Sequence, residues 1–517
     1  MGGGPLAAFD SAPAQSSIFD ALVAAAKEHG SKKPILEDQE RNPLSYLDVI
    51  RAAFALGRKI AGFTAKGERV GVMLPSSNGG VVTFFALHAF GRVPTMLNFT
   101  SGIRNLRGAC ELAGIKTVLT SHRFVEQGKL HDLIDALESI TNVVYLEDVR
   151  KKIGLPDRLY AAAAGAMPSR FRTATSLSDP GVILFTSGSF GVPKGVVLSQ
   201  ENLLGHVRQI LAHIDFDRNW VFFNPLPIFH VFGLTGGFLL PILGGMKAVQ
   251  YPSPLHIKQI PPMVKDTKAD ILFATDTFVN QYARSAEPDE LAGLKFVVCG
   301  AEKVRDETHK LITEKFGPIP LLEGYGATEA SPVIAVNKPN DNRVGTVGGL
   351  LPGIETRLEP VEGITGGGKL LVRGVNIMAG YLNADGSVTP PEGGWHDTGD
   401  VVSISDDKWL KILGRVKRFA KVGGEMVSLT AAEDLASAVW PDSRHAVVAQ
   451  PDSKKGERLV LVTDRQDADA AQIVAYAKSV GAPEIAVPRR ILKVPEIPVM
   501  GTGKTDYVAL QRIVDAE

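Results

Sequence analysis

The sequence predicts an α/β fold, with a small separate unit at the end of the chain. Helical and strand patterns alternate through the first half, which is typical of α/β layers with a largely parallel sheet. Several short apolar runs are each followed by a polar or Gly-bearing turn. This arrangement puts loops at the carboxyl ends of strands, where α/β sheets usually bind ligands.

The helical and strand patterns define the individual elements. Residues 45–61 have helical spacing, because Val49, Ala53, Leu56 and Ile60 recur along one face. Further predicted elements are a helix at 80–90 and strands at 69–74, 116–119, 182–185, 271–274 and 296–299.

The end of the chain follows two Gly-bearing stretches. Residues 360–369 predict a loose turn between strands, and residues 414–421 predict a linker. Further predicted elements are a helix at 430–439, strands at 446–449 and 458–462, and a helix at 468–480. These elements suit a separate domain of about a hundred residues, which is a common domain size.

Composition narrows the classes of function. The 56 Lys and Arg residues balance 56 Asp and Glu residues, so no global basic excess draws the chain to nucleic acid. The two cysteines, Cys110 and Cys299, are too few for a disulfide scaffold or a four-cysteine zinc site. We therefore expect an ordinary globular protein that does not bind nucleic acid.

Neither a secretory signal nor a membrane span is expected. The stretch from Met1 to Ala14 has no basic residue and no apolar core. Residues 219–246 contain no Lys, Arg, Asp or Glu, but Pro225, Pro227 and several glycines interrupt them, whereas a spanning helix needs ~20 more uniformly apolar residues. The better interpretation is a buried strand, loop and helix beside a pocket, in a cytoplasmic protein.

The segment 185–195 is rich in hydroxyls and glycines and follows a predicted strand. Its glycines let backbone N–H groups approach an anion, Thr186, Ser187 and Ser189 add hydroxyl donors, and Lys194 adds positive charge. This composition favours a loop that holds a polyphosphate. For the segment alone, a Gly/Ser surface turn stays a fair alternative.

The chain does not contain a Walker A loop. The segment 185–195 lacks the Gly-Lys-Ser/Thr ending of that motif. The string 503–505, Gly-Lys-Thr, has this ending, but Pro498 stands where the first Gly of the motif is needed. A P-loop NTPase is therefore excluded.

Together with several later strings, the segment 186–195 resembles the phosphate-binding loop of the adenylate-forming superfamily, which includes acyl-CoA synthetases, luciferases and adenylation domains. The later strings are Gly-Tyr-Gly-Ala-Thr-Glu at 324–329, Trp-His-Asp-Thr-Gly-Asp at 395–400, Gly-Arg at 414–415 and Gly-Thr-Gly-Lys at 501–504. They occur in the family's order between residue 45 and about residue 510, so the resemblance spans nearly the whole chain.

Within the superfamily, the chain most resembles the acyl–acyl carrier protein synthetase part of bacterial 2-acylglycerophosphoethanolamine acyltransferases. The supporting strings lie at 322–332, 414–421, 424–429 and 503–507. The membrane acyltransferase domain of those fusions is absent from the sequence. One departure is Phe190 in the phosphate loop, where these relatives usually carry a small or acidic residue.

The resemblance implies a large composite N-terminal domain at 1–414 and a small mobile C-terminal domain at 415–517. It also implies an ATP site. The residues implied to hold the phosphates are Thr186, Ser187, Gly188, Ser189, Gly191 and Lys194. The residues implied to surround adenine and ribose are Gly300, Ala301, Glu302, Gly324, Tyr325, Asp400 and Arg415.

Three further residues are implied to carry the first reaction. Thr328 would contact the α-phosphate, and Glu329, a hard oxygen ligand, would hold Mg²⁺. Lys504 would bridge the substrate carboxylate and the α-phosphate. Without the motifs, Glu329 would be interpreted as a solvated carboxylate and Tyr325 as a core aromatic residue.

The resemblance also implies an acyl pocket and a hinge. His230, with Phe229, Phe232 and Gly233, resembles the gate of fatty-acid members, although a buried core histidine is about equally credible. The residues implied for domain rotation and for the incoming thiol are the hinge residue Lys417 and the glycines Gly423 and Gly424. The segment around His230 contains no aspartate that could pair with the ammonium group of an amino-acid substrate. This disfavours an amino-acid adenylation domain.

The predicted function is ATP-dependent activation of a fatty acid through acyl-AMP, followed by thioester formation on acyl carrier protein. The cofactors are ATP and Mg²⁺, and the acceptor is the phosphopantetheine of the carrier protein or CoA. The first alternative is an acyl-CoA synthetase, and the second is a non-catalytic nucleotide- or acyl-binding protein that kept the fold. Contact with a membrane surface stays open. The basic residues available for an acidic carrier protein are Lys417, Arg418, Lys421, Lys454, Lys455, Arg489 and Arg490.

Overall fold

The computed structural model describes residues 16–186, 193–362, 364, 366–422, 425–452, 456–499 and 505–517. The α-helices are α1 (Ile18–His29), α2 (Tyr46–Ala61), α3 (Asn78–Ala89), α4 (Ile103–Ala113), α5 (His122–Gly128), α6 (His131–Glu138), α7 (Leu146–Lys151), α8 (Leu155–Ala166), α9 (Pro168–Phe171), α10 (Gln200–His213), α11 (Leu240–Gly244), α12 (Ile260–Asp266), α13 (Asp276–Ser285), α14 (Pro288–Leu291), α15 (Asp306–Phe316), α16 (Leu429–Val439), α17 (Ala470–Ser479) and α18 (Tyr507–Asp515).

The strands build four sheets. They are β1 (Pro34–Asp38), β2 (Leu44–Ser45), β3 (Arg69–Val72), β4 (Val93–Met96), β5 (Thr117–Thr120), β6 (Asn142–Tyr145), β7 (Pro180–Thr186), β8 (Lys194–Ser199), β9 (Val221–Asn224), β10 (Lys247–Gln250), β11 (Ile271–Ala274), β12 (Phe296–Cys299), β13 (Leu321–Gly326), β14 (Val333–Val336), β15 (Gly349–Leu350), β16 (Glu355–Glu359), β17 (Gly368–Arg373), β18 (Gly380–Leu382), β19 (Val388–Thr389), β20 (His396–Ile404), β21 (Leu410–Arg415), β22 (Phe419–Val422), β23 (Glu425–Ser428), β24 (His445–Asp452), β25 (Gly456–Thr463) and β26 (Arg490–Lys493).

Two large sheets dominate the first four hundred residues. One has the order β15-β14-β13-β12-β11-β9-β10-β1-β2, and the other has the order β19-β18-β8-β7-β4-β3-β5-β6. In both sheets the central strands pair in parallel, and the edge strands pair antiparallel except β6, which pairs in parallel with β5. The parallel core with antiparallel edges confirms the predicted α/β class.

Local sequence signals explain the first long helix. Ser45 caps α2 with a capping box, in which its hydroxyl accepts from the backbone of Asp48 while the Asp48 carboxylate accepts from the Ser45 backbone. Val49, Ala53 and Ile60 are buried on the predicted face. The observed helix therefore begins one residue after the predicted start and ends at the predicted residue.

The charge-free stretch 219–246 also folds as predicted. It contains β9, a loop, a π-helical segment at Phe232–Leu239 and α11, and almost all of it is buried. Among the described residues, no helix is long and apolar enough to cross a membrane. The apolar character of this stretch therefore comes from burial against the nine-stranded sheet.

A smaller antiparallel sheet of order β16-β17-β20-β21 follows the two large ones. Strands β16 and β17 form a hairpin that flanks the Gly-bearing turn predicted at 360–369. The predicted linker at 414–421 differs from the structure, because Arg415 still pairs with Asp400 and β22 begins at Phe419. Only one three-ten turn, Val416–Arg418, separates these strands.

The last hundred residues hold their own core. Strands β22–β26 form one sheet, against which α16, α17 and α18 pack, and two apolar clusters lie between 420 and 514. The predicted fold class includes a smaller α+β unit at the end of the chain, and the structure confirms this unit. The predicted domain boundary at 414/415 falls between the last two residues of β21, inside a strand. The boundary therefore stays a proposal.

Candidate active site

The predicted phosphate loop lies between two paired strands. Thr186, the last residue of β7, is the register partner of Lys194, the first residue of β8. The loop residues Ser187, Gly188, Ser189, Phe190 and Gly191 lie outside the described residues. Thr186 is half-buried and Lys194 is exposed, so the hairpin presents a cation at the base of the loop.

Lys194 contacts an aromatic residue that the sequence analysis missed. Its ammonium lies 5.1 Å from the centroid of the Tyr381 ring, and the Tyr381 hydroxyl donates a 2.8 Å hydrogen bond to Glu329. Burial and the neighbouring Glu329 carboxylate raise the pKa of Tyr381. The phenol therefore stays protonated as a donor and joins the predicted phosphate lysine to the predicted metal ligand.

Backbone contacts fix the segment that carries Thr328 and Glu329. The carbonyl of Glu329 accepts from the backbone N–H of Met378 at 2.8 Å. The buried amide of Asn376 donates to the Ala330 carbonyl at 2.8 Å. Both catalytic candidates are half-buried in or beside this three-ten turn, so their side chains project from a braced backbone.

A second chain of hydrogen bonds joins three predicted nucleotide residues. The Tyr325 hydroxyl donates to one oxygen of Asp400 at 2.6 Å, and the Arg415 Nε donates to the other at 2.9 Å. The side chain of Asp400 is 7% exposed, whereas that of Arg415 is 69% exposed. Burial, and then the Asp400 charge, raise the pKa of Tyr325. The three residues therefore form a buried-to-exposed row at one end of the small antiparallel sheet.

His396 was missed although it lies in the quoted 395–400 string. It is buried at the start of β20, and burial lowers its pKa while the nearby carboxylates of Glu329 and Asp400 oppose that shift. The His396 imidazole therefore lies close enough to feel the charges of both Glu329 and Asp400. The signal was present in the string, where only Asp400 was singled out.

The predicted adenine wall follows β12 and touches the predicted acyl gate. Ala301 adopts a left-handed φ of 69°, and Glu302 accepts a hydrogen bond from the Thr277 backbone at 3.1 Å. A Cβ atom added at Gly300 would lie 3.0 Å from the Phe232 ring. Gly300 therefore allows this ring to approach the turn closely, and the two predicted subsites share a border.

Of the four predicted acyl residues, Phe232 lines an apolar cavity of about 40 Å³. Other lining residues include Gly236, Leu240, Phe273, Val298 and Pro332. Phe229 instead packs edge-to-face on Phe99, with ring centroids 4.8 Å apart, and lies beside His230. Neither Phe229, His230 nor Gly233 is among the described residues that line this cavity.

The residues predicted for domain motion are only partly described. Lys417 is exposed in the three-ten turn Val416–Arg418. Gly423, Gly424 and Lys504 lie outside the described residues. Val499 and Thr505, which flank the segment with Lys504, form an isolated antiparallel bridge.

A family match, together with the fold, defines the class of protein as an adenylate-forming enzyme. A family model described as "AMP-binding enzyme" matches residues 22–382. The chain therefore belongs to the AMP-binding enzyme family, and the predicted enzyme class is confirmed.

Relatives of known name agree with this family. The chain is 27% identical over 452 residues to 4-coumarate–CoA ligase 2 of Oryza sativa subsp. japonica. The matched region covers 82% of this chain and 78% of that protein. It is 26% identical over 344 residues to a medium-chain fatty-acid–CoA ligase of Escherichia coli (strain K12), covering 64% of this chain and 60% of that protein.

Solved structures confirm the fold. The anthranilate CoA ligase AuaEII in complex with anthranoyl-AMP superposes with a TM-score of 0.82 at 19% identity, covering 98% of this chain and 99% of that one. ATP-bound MatB from Rhodopseudomonas palustris superposes with a TM-score of 0.81 at 22% identity, covering 96% and 98%.

Proposed function

We propose that this enzyme activates an apolar carboxylic acid with ATP and transfers the acyl group from acyl-AMP to the thiol of CoA. The observation that carries the proposal is the contact row from Lys194 through Tyr381 to Glu329. It brings a cation, a phenol donor and a carboxylate to the base of the phosphate-loop hairpin. Polyphosphate held beside a divalent cation needs these groups.

The first step joins two anions. A carboxylate oxygen of the acid attacks the α-phosphorus of ATP, the new bond makes acyl-AMP, and pyrophosphate leaves. Thr186 and Lys194 would bind the departing phosphates, and Thr328 would donate to the α-phosphate. Lys504 would stabilise the charge shared by the carboxylate and the α-phosphate. Asp400 and Arg415 would hold the ribose hydroxyls.

Glu329 suits the Mg²⁺ that this chemistry uses. Mg²⁺ is usually bound by one or two carboxylates together with substrate phosphates and water. The described residues hold no cluster of three or more His, Cys, Asp or Glu side chains suited to a metal, and Glu329 is the carboxylate that we assign to this ion. The Tyr381 hydroxyl orients that carboxylate. When bound, Mg²⁺ neutralises charge on the pyrophosphate.

The second step exchanges oxygen for sulfur. The thiol loses its proton, its sulfur attacks the acyl carbon, and AMP leaves with the former carboxylate oxygen. Rotation about Lys417 would withdraw Lys504 and bring Gly423 and Gly424 to the incoming thiol. Lys417 is exposed in the three-ten turn Val416–Arg418, which supports placing the hinge at this residue. The next residue, Arg418, is anchored to Glu433 and to the Val447 carbonyl of the C-terminal unit.

Two observations favour CoA over a carrier protein as the acceptor. The relatives reported above are named as CoA ligases. In addition, Arg418 is bound to the partly buried Glu433 at 2.6 Å, and Lys421 lies 3.3 Å from Glu362. Paired cations attract an acidic carrier protein less than free ones. Arg489 of the predicted patch also pairs with a carboxylate, that of Glu484, whereas Arg490 donates to the neutral Gln450 amide. Lys454 and Lys455 lie outside the described residues.

The substrate is proposed to be an apolar acid, with fatty acids first among them. The lining of the cavity beside Phe232 is apolar, and it presents no charged side chain to a polar end of the acid. The two named relatives act on an aromatic acid and a medium-chain fatty acid, so both shapes belong in the substrate series.

Two assays test the proposal. ATP–pyrophosphate exchange is measured with butyrate, octanoate, dodecanoate and 4-coumarate, and exchange with at least one of these acids is expected. No exchange with any of them favours a non-catalytic binding protein. A thioester assay then offers CoA and holo-acyl carrier protein side by side. Faster thioester formation on CoA is expected, and selective formation on the carrier protein contradicts the proposed acceptor.

A further inference from the structure

Two buried amide side chains lie beneath the π-helical segment that carries Phe232. Asn224 and Gln250 are the last residues of β9 and β10, they are register partners in the parallel sheet, and both are 0% exposed. The amide of Asn224 donates to the Gln250 side-chain oxygen at 2.9 Å. Buried amides of this kind are costly unless their hydrogen bonds are made.

Both amides reach up to the backbone of the π-helical segment. The Asn224 amide donates to the Gly233 carbonyl at 3.2 Å, and the Gln250 amide donates to the Gly237 carbonyl at 2.8 Å. A Cβ atom at Gly237 would lie 2.1 Å from the Asn224 amide nitrogen. The segment therefore lies directly on the amide pair, and glycine permits this approach.

The same segment forms one side of the apolar cavity. Phe232, Gly236 and Leu240 line it, and the Phe232 ring packs edge-to-face on Phe273 with centroids 5.4 Å apart. The ring also contacts the Gly300 turn of the adenine wall. A shift of the segment by a fraction of a turn would move Phe232 relative to both neighbours. π-Helical turns are wider than α-helical ones and occur often at functional sites.

We propose that Asn224 and Gln250 are positioning residues that set which acids the site accepts. By holding the Gly233 and Gly237 carbonyls, the pair keeps Phe232 between the adenine wall and the cavity. At about 40 Å³ the cavity holds little more than one water-sized group, so a longer acyl tail requires the segment to move. The pair thus biases the site toward acids with a small apolar body. The inference rests on the proposed function.

The test compares two matched variants. Gln250→Met removes one donor to a carbonyl and one acceptor while keeping the volume. Gln200→Met is the control, because Gln200 is also buried, donates to the Ser176 carbonyl at 3.3 Å and accepts from the Ile18 backbone at 2.9 Å. The bonds of Gln200 join the start of α10 to Ile18 and Ser176, and neither partner belongs to the π-helical segment.

For Gln250→Met, the ratio of kcat/KM between dodecanoate and butyrate is expected to rise about tenfold, the size expected for one lost buried hydrogen bond. The KM for ATP should stay within about twofold, and Gln200→Met should leave the acid ratio unchanged. An unchanged ratio in Gln250→Met, or an equal change in Gln200→Met, overturns the inference. Should Gln250→Met fold poorly, Gln250→Leu removes the same donor and acceptor without burying a charge, and a shift in the same direction is expected.

A second readout does not depend on catalysis. Hydrogen exchange of peptides spanning 231–242 should accelerate in Gln250→Met and stay unchanged in Gln200→Met. If the wild type turns over no acid while this exchange difference is present, the proposed function fails and the positioning of the segment stands. Equal exchange in both variants overturns the positioning role.

Discussion

The Tyr325 hydroxyl donates a 2.6 Å hydrogen bond to Asp400, a residue 75 positions further along the chain. Tyr325 lies near the end of β13 in the nine-stranded sheet, whereas Asp400 lies on β20 of the small antiparallel sheet. The bond therefore ties the two sheets together at the predicted nucleotide site. It also leaves the other Asp400 oxygen free to accept from Arg415, and to accept from the ribose hydroxyl that we propose it binds.

Replacing Tyr325 by Phe should raise the KM for ATP. The substitution keeps the ring and removes one hydrogen bond to Asp400, which corresponds to about three- to tenfold in binding. Steady-state kinetics at saturating acid measure the change. Tyr282→Phe is the matched control, because the buried Tyr282 hydroxyl donates to the Pro254 carbonyl at 2.7 Å, far along the chain from both partners. Equal KM values for ATP in the two variants would contradict the role of Tyr325.

Replacing Tyr381 by Phe should raise the requirement for Mg²⁺. The variant loses the hydroxyl that orients the Glu329 carboxylate, and loss of such a supporting bond typically costs about tenfold or more in metal affinity. Activity is titrated with Mg²⁺ at fixed ATP, after EDTA treatment. A Mg²⁺ half-saturation point equal to that of the wild type would show that Tyr381 does not support the metal site.

The two rows of contacts were only partly predictable from the sequence. The strings at 324–329 and 395–400 supplied Glu329 and Asp400, because each stands in a compact motif. Tyr381 stands in no such motif. It meets Lys194 because β18 pairs with β8, and the backbone bond from Met378 to Glu329 brings the Glu329 turn beside the same strand. A contact made by sheet pairing across nearly two hundred residues leaves no local pattern in one sequence.

Strands and helices were likewise predictable where the signal is local, and not where tertiary contacts decide the structure. The runs at 271–274 and 296–299 are strands at the predicted residues, since both are short, apolar and fully inside a parallel sheet. The stretch 219–246 was predicted as a buried strand, loop and helix. Its π-helical form was not predicted, and this segment is held by hydrogen bonds from Asn224 on β9 and Gln250 on β10. Tertiary contacts of this kind override local propensity.

Low pH should destabilise the protein through buried histidines of α10. Burial lowers the pKa of His206 to about 4, and its Nε2 accepts from the Val333 backbone at 3.2 Å. The unfolded chain binds this proton near the ordinary pKa of 6.5, so the stabilisation is complete above that pH and is lost as the pH falls toward 4. The free energy of unfolding should fall by on the order of 2 kcal/mol between pH 7 and pH 5 for this one group.

Urea unfolding at several pH values measures this effect. His206→Gln retains an acceptor for Val333 and removes the titration, so its stability should depend less steeply on pH than that of the wild type. His131→Gln, at an exposed position, should keep the wild-type slope. If His206→Gln and the wild type have the same slope, His206 is not the titrating group.

Lys504→Ala should separate the two half-reactions. Acyl-adenylate formation should slow by about 10²–10³-fold, as for the loss of one oxyanion donor. Thioester formation from preformed acyl-AMP should change far less, because Lys504 would be withdrawn by then. Lys478→Ala, an exposed lysine on α17, is the control. Equal loss in both half-reactions would remove Lys504 from its assigned role.

Lys417→Pro should spare acyl-adenylate formation and impair thioester formation, which is the reverse of the effect expected for Lys504→Ala. Proline fixes its own φ and restricts Val416, so the rotation at the Val416–Arg418 turn is hindered. Pyrophosphate exchange should persist while thioester formation is lost, and Lys417→Ala should retain both. Normal thioester formation in Lys417→Pro would place the hinge elsewhere.

Oxygen transfer from the acid to AMP tests acid activation through acyl-AMP most directly. The enzyme is supplied with ATP, Mg²⁺, CoA and octanoate labelled with ¹⁸O in both carboxylate oxygens, and the products are analysed by mass spectrometry. Acyl-AMP chemistry predicts acyl-CoA and AMP in equal amounts, with one ¹⁸O in each AMP. Unlabelled AMP, or ADP and phosphate in place of AMP and pyrophosphate, would contradict it.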